Sequence, residues 1–141
     1  VRPPFVAGRD DSEQPRSMEA IAAATGAEPV AWNRRLDCCG GGMALARTST
    51  VVRLGREILA DAAAAGAQAV VVACPMCHSN LDMRQQAMQR ESALPVVYVT
   101  ELVGLALGLP AKALGLSRHF VDPTPVAQHR PALPAAAGGS T

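Results

Sequence analysis

The chain contains four cysteines, all in two tight pairs. Cys38-Cys39 runs directly into Gly40, Gly41 and Gly42, and Cys74-Pro75-Met76-Cys77 runs into His78. Four soft thiolate donors grouped in this way suit a single metal centre, and an iron–sulfur cluster used in redox chemistry is the expectation. The two pairs differ in kind. Pro75 fits the first position of a helix, which makes Cys74 its N-cap and exposes its sulfur to unpaired N–H groups and the positive end of the helix dipole. That setting favours thiolate over thiol and pre-activates the pair for metal or redox exchange. Adjacent cysteines bridge each other poorly, so Cys38-Cys39 does not read as a structural disulfide. Gly40 and Gly41 would let main-chain N–H groups come close to cluster sulfides, which tunes a reduction potential.

Other chemistries compete for the same residues. A thioredoxin-like disulfide site matches strand, Cys74-Pro75-Met76-Cys77 and helix, but leaves Cys38 and Cys39 unexplained. A structural zinc site would use four thiolates, although usually in two similar CxxC turns. Cys74-Pro75-Met76-Cys77-His78 also fits the c-type haem attachment pattern, which requires an exported chain. Four unrelated buried cysteines are the remaining alternative. His78 is a weak catalytic candidate, as ligand or proton donor. His119 and His129 are expected to do nothing chemical. Arg34, Arg35 and Arg47 flank the glycine loop and could offset cluster charge. Asn80 and Asp82 read as polar residues on an exposed face, Trp32 and Tyr98 as core, and Met76, Met83 and Met88 as gap-fillers.

The elements that must position these groups follow from the hydrophobic pattern. Ser17 could cap a short helix over residues 17–25, with Met18, Ile21 and Ala22 inward. Residues 29–32 suggest a short strand. Residues 50–65 read as the clearest helix, with Val51, Leu54, Ile58, Leu59 and Ala62 on one stripe and Gly66 as the stop. Residues 69–73 lack polar alternation and read as a fully buried strand. A helix over 75–90, a strand over 96–99 and a helix capped by Thr100 complete the alternation. The expected fold class is therefore α/β, a parallel sheet flanked by helices. Residues 1–120 form the expected domain, and 121–141, rich in Pro, Ala and Gly, a disordered tail.

Composition narrows the function further. In 141 residues, a net charge of +1 and scattered arginines give no electrostatic footprint for nucleic acid. No apolar run reaches membrane-spanning length and no signal peptide is visible, so a cytoplasmic location is expected. Reduced cysteines in such a chain favour metal or redox work.

Taken together, the Cys-Cys-Gly loop, the amphipathic helix, the Val-rich strand and Cys74-Pro75-Met76-Cys77-His78-Ser79-Asn80-Leu81-Asp82 resemble the cysteine-rich (CCG) domain of the B-type subunit of heterodisulfide reductase. The resemblance extends over residues 1–119, including Val1-Arg2-Pro3-Pro4 and Pro95-Val96-Val97-Tyr98-Val99-Thr100-Glu101-Leu102. CCG domains also occur in glycolate and lactate oxidase subunits and in anaerobic glycerol-3-phosphate dehydrogenase. The residues after Gly40 and the Asn80-Leu81-Asp82 context are more similar to the heterodisulfide reductase branch. The resemblance implies a noncubane 4Fe–4S cluster held by Cys38, Cys39, Cys74 and Cys77. It implies an oxidoreductase subunit that reduces a disulfide or persulfide, or oxidises a thiol, with a small thiol or disulfide as substrate. Partners would be a flavin-containing A-type subunit and a ferredoxin-like C-type subunit. The alternatives it leaves are an electron-transfer subunit of a 2-hydroxy acid or glycerol-3-phosphate dehydrogenase complex, and a zinc or disulfide structural module. One departure stands out: the family pattern has a further cysteine upstream of the pair, and residues 1–37 contain none. A fifth ligand is therefore expected before Val1, on a longer subunit with two CCG motifs, and the fragment alone is expected to be inactive.

Overall fold

The computed structural model describes residues 10–11, 13–89 and 93–128. Helix α1 (Ser17–Ala24) begins where Asp10 accepts hydrogen bonds from the Arg16 and Ser17 backbone N–H groups and from the Ser17 hydroxyl. Ser17 is thus the first helical residue and Arg16 the N-cap, while Ile21, expected inward, is exposed. The expected strand over residues 29–32 does not form. Its apolar residues have no strand beside them: the sheet among the described residues has two strands, and they pair with each other.

Helix α2 (Thr48–Ala64) buries Val51, Gly55, Ile58, Leu59 and Ala62, the i, i+4, i+7, i+8 stripe of an amphipathic helix. Burial of each Val, Leu or Ile side chain contributes on the order of 1.5–3 kcal/mol, which is what holds this helix to the sheet. Gly55 lies so close to Met88 that a side chain there would collide with it. Strand β1 (Val70–Val72) follows the Gly66 stop, then α3 (Pro75–Asp82), then β2 (Val96–Tyr98). The two strands run parallel in the register Val70 with Val96, Val71 with Val97 and Val72 with Tyr98. The unit is a β–α–β crossover in which α3 lies against both strands, α4 (Val99–Ala106) packs on them and α2 packs on α3, the expected α/β class.

Helix α3 is shorter than the 75–90 expected. After Asp82 the chain turns through a 3₁₀ segment, Gln86–Met88, and Gln89 adopts a left-handed conformation. The buried Gln85 side chain explains part of the break. Its Nε2 donates to the Leu94 carbonyl (2.6 Å) and its Oε1 accepts from the Leu94 N–H (2.9 Å), so it holds the approach to β2. Helix α4 starts one residue before the expected Thr100 cap, because Glu101 accepts from the Tyr98 N–H in a capping arrangement. Two short helices, α5 (Ala111–Leu114) and α6 (Thr124–Gln128), and a 3₁₀ turn, Leu116–Arg118, end the described chain. Residues 124–128 are therefore helical within the stretch expected to be a tail. His129 and the rest of that tail lie outside the described residues.

Candidate functional site

Gly40 starts the loop that carries the first pair. It takes a left-handed conformation (φ 78°, ψ 25°) and opens a 3₁₀ turn, Gly41–Met43, closed by the Met43 N–H on the Gly40 carbonyl at 2.8 Å. This turn sends Cys39 inward and leaves Cys38 out. Cys39 is buried, at 3% exposure, whereas Cys38 is exposed and its sulfur accepts from the Gly40 N–H at 3.4 Å. Gly41 faces α3: a Cβ there would lie 3.1 Å from Met76 Cβ and 3.9 Å from Cys39 Sγ. The absence of a side chain at Gly41 lets the loop lie against the second pair.

Cys74 caps α3 with Pro75 in the first turn, as the sequence suggests. The N–H groups of Cys77 and Met76 point at its sulfur and hold its thiol below the ordinary range, against a small desolvation cost. Cys77 behaves in the opposite sense. Burial, then hydrogen bonding and charge from Cys39 and Cys74, push it up to about 12. The pair is therefore not activated as a unit: Cys74 is the exposed member with its pKa lowered and Cys77 the partly buried one with its pKa raised.

Across the site Cys39 Sγ and Cys77 Sγ lie 3.3 Å apart. Sulfur atoms from the two motifs thus meet, with Cys74 in contact with Cys77. Cys38 is the one cysteine of the four for which the described geometry gives no contact with the second pair. All four are free thiols. The donors suit a thiophilic metal centre: Cys39 and Cys77 meet, Cys74 lies against Cys77, and Gly41 leaves the space beside Cys39 without a side chain of its own. No helix among the described residues is long and apolar enough to cross a membrane.

The polar residues behind α3 correct the reading made from sequence. Asn80 and Asp82 are not on an exposed face; both are 1% exposed. Asn80 Nδ2 lies 3.6 Å from Cys39 Sγ, and Arg84 Nε donates to Asn80 Oδ1 at 3.2 Å. The helical period could have found this, since Cys77, Asn80 and Arg84 share one stripe at i, i+3 and i+7. Asp82 accepts from the Phe120 and Val121 N–H groups at 2.8 and 3.0 Å, which fastens the C-terminal segment to α3. No local signal marks that role.

His119, expected to do nothing chemical, is a structural link, with a side chain only 4% exposed. Its Nδ1 lies 3.0 Å from the Val96 carbonyl and its Nε2 lies 3.0 Å from Glu101 Oε1. His78 stacks on Tyr98 (centroids 4.4 Å, 10°) and meets His119 edge-on, Nε2 to Nδ1 at 3.4 Å. Burial lowers the His78 pKa. His78, Asp82 and His119 group closely enough to suggest a second metal site. Asp82 is bonded to the Phe120 and Val121 N–H groups and His119 to the Val96 carbonyl and Glu101, so the group ties β2, α3, α4 and the C-terminal segment together.

The flanking residues settle elsewhere. Arg34 pairs with Asp37 and Glu57, and Arg35 with Glu19, so neither faces the sulfurs unpaired. Arg47 is exposed. Trp32 and Tyr98 pack against the core as expected. Of the methionines, Met88 fills the core, while Met76 and Met83 are about half exposed.

The chain matches the cysteine-rich domain family, CCG, over residues 5–82. It is 38% identical over 128 residues to the 8-methylmenaquinol:fumarate reductase membrane anchor subunit of Wolinella succinogenes, covering 88% of this chain and 45% of that one. It is 28% identical over 128 residues to the B-type subunit of the ferredoxin/F(420)H(2)-dependent CoB-CoM heterodisulfide reductase of Methanosarcina acetivorans, covering 86% of this chain and 43% of that one. The B-type subunit of the ferredoxin:CoB-CoM heterodisulfide reductase of Methanosarcina mazei is 30% identical over 118 residues, with 79% and 39% covered. The chain thus spans less than half the length of these relatives.

Proposed function

The chain belongs to the CCG cysteine-rich domain family, a family with oxidoreductase subunits among its members, and from that premise we propose that it is the cluster-holding domain of a heterodisulfide reductase-like iron–sulfur subunit. Cys38, Cys39, Cys74 and Cys77 would hold a noncubane 4Fe–4S cluster. The observation that carries the reading is the 3.3 Å approach of Cys39 and Cys77 from separate motifs. When bound, such a cluster would supply electrons for opening a sulfur–sulfur bond and accept them when one forms.

The remaining chemistry belongs to the protein. Cys74 offers its sulfur already inclined to the thiolate, whereas Cys77 must surrender a proton on ligation, so loading is expected to release protons. Gly41 keeps the ground beside Cys39 clear of side chains. Reduction of a disulfide to two thiols takes two electrons and two protons. The substrate is therefore expected to be a small disulfide or persulfide, with electrons delivered by flavin-containing and ferredoxin-like partners in the reducing cytoplasm.

The test is anaerobic reconstitution of the full-length protein, iron counting, and EPR before and after thiol addition. Iron uptake with a spectrum that responds to added thiol supports the proposal. Tight zinc with no iron uptake overturns it. A second reading draws on the relative that is 38% identical and named as a membrane anchor subunit of a quinol:fumarate reductase: an electron-transfer subunit without its own substrate. Under that reading iron is taken up and the spectrum ignores thiols.

A further inference from the structure

We propose that Asn80 is a positioning residue for the metal centre: by donating its side-chain N–H to Cys39 Sγ, it fixes that ligand and holds the centre at a higher reduction potential than four unassisted thiolates would give. The inference rests on the reading of the four cysteines as cluster ligands and names a residue that the ligand motif does not contain.

Three observations lead there. Asn80 is 1% exposed, and a buried side-chain amide must spend its donors on something. The acceptor within reach of Nδ2 is Cys39 Sγ, at 3.6 Å, an ordinary separation for a hydrogen bond to sulfur. The amide is oriented: Arg84 Nε donates to Asn80 Oδ1 at 3.2 Å, and Arg84 also reaches the Ala44 carbonyl at 3.5 Å, on the segment following the glycine turn. An arginine donor on the oxygen fixes which end of the amide is Nδ2, so the nitrogen faces the sulfur. Arg84, Asn80 and Cys39 form one chain of hydrogen bonds, ending on the Cys39 sulfur as acceptor, that links α3 to the Cys38-Cys39 loop.

The consequence follows from electrostatics. A hydrogen bond to a ligating sulfur withdraws negative charge and favours the more reduced, more negative state of the centre, which raises its potential. The effect is large where water is excluded, and Cys39 is 3% exposed.

The experiment uses the reconstituted full-length protein and measures iron per protein and the midpoint potential by EPR-monitored redox titration. Asn80→Leu keeps the volume and removes the donor without adding charge. Arg84→Lys keeps the positive charge and removes the Nε–H that orients the amide. The expected result is near-normal iron with a potential shifted negative in Asn80→Leu, and a smaller shift of the same sign in Arg84→Lys. Unchanged potentials in both variants, with iron retained, overturn the role of Asn80 and leave the ligand assignment standing. Should Asn80→Leu fail to fold, Arg84→Lys decides: no shift there overturns the proposal. Wild-type protein that takes up no iron overturns the ligand assignment and this inference with it.

Discussion

Three consecutive glycines carry the first cysteine pair against α3, yet the structure asks a different thing of each, so alanine at each position gives a graded test. Gly40 has a φ of +78°, and its Cβ would lie 3.1 Å from Leu54 Cδ1 and 3.3 Å from Val51 Cγ2, both on the inner side of α2. The left-handed conformation costs an L-residue about 1–2 kcal/mol, and crowding in a packed core adds about 1–3 kcal/mol. Loss of unfolded-state freedom returns about 0.4–1 kcal/mol, so Gly40→Ala is expected to destabilise by about 1–5 kcal/mol. Gly41 has no positive φ but meets Met76 Cβ at 3.1 Å and faces Cys39 Sγ. Gly41→Ala is expected to cost about 1 kcal/mol and to impair iron uptake more than stability, because it wedges the loop away from α3. Gly42 has nothing within 4 Å of its Cβ and no positive φ, so Gly42→Ala is expected to be neutral or stabilising by up to about 1 kcal/mol. Thermal unfolding followed by circular dichroism resolves these differences, since 1 kcal/mol moves Tm by roughly 4 °C in a chain of this size. Equal losses at Gly40 and Gly42, or a Gly40→Ala variant as stable as wild type, would refute the reasoning.

Other perturbations test separate parts of the structure. In metal-free protein, a mild disulfide oxidant is expected to join Cys39 to Cys77, whose sulfurs are 3.3 Å apart. Cleavage after Arg35, Arg47 and Arg84 would show this by mass spectrometry as two linked peptides, whereas a Cys74–Cys77 bridge stays within one peptide. Gln85→Leu leaves the Leu94 N–H and carbonyl without their partner and is expected to cost about 2–4 kcal/mol in urea unfolding, with Gln85→Glu recovering the N–H half alone. Asp10 has its pKa lowered to about 2, first by the Ser17 hydroxyl and then by the Arg16 and Ser17 N–H groups. A depressed folded-state value means that its contribution is complete above the unfolded value of 3.8 and is lost as pH falls towards 2. The stability difference between wild type and Asp10→Ala is therefore expected to level off above about pH 5 and shrink below pH 4.

Much of this architecture was legible from periodicity and punctuation. Val51, Ile58, Leu59 and Ala62 marked the inner stripe of α2, and the Val-rich runs marked both strands, because a buried parallel strand has no polar alternation to confuse it. The convergence of Cys39 and Cys77 was legible from the pairing of their motifs, but the separation of Cys38 from Cys39 was not, since a left-handed turn at Gly40 decides it. Helix α3 was read too long because residues 83–88 keep helix-forming types. Part of what stops it is the Gln85 side chain bonded to Leu94, a contact that composition does not record. The burial of Asn80 and Asp82 was not legible for one reason: polar residues are assigned to the surface unless a partner is known, and theirs are a sulfur and two backbone amides from distant segments.

Helix α3 spans eight residues, yet it presents sulfur donors at its start and grips Phe120 and Val121 through Asp82 at its end. Two turns of helix are too stiff to absorb a pull at one extremity without passing it to the other. Shortening the polypeptide before Phe120, or docking another protein on residues 120–121, would then be felt as a changed spacing between Cys74, Cys77 and Cys39. Whatever engages that carboxy-terminal strap gains mechanical leverage over the thiols.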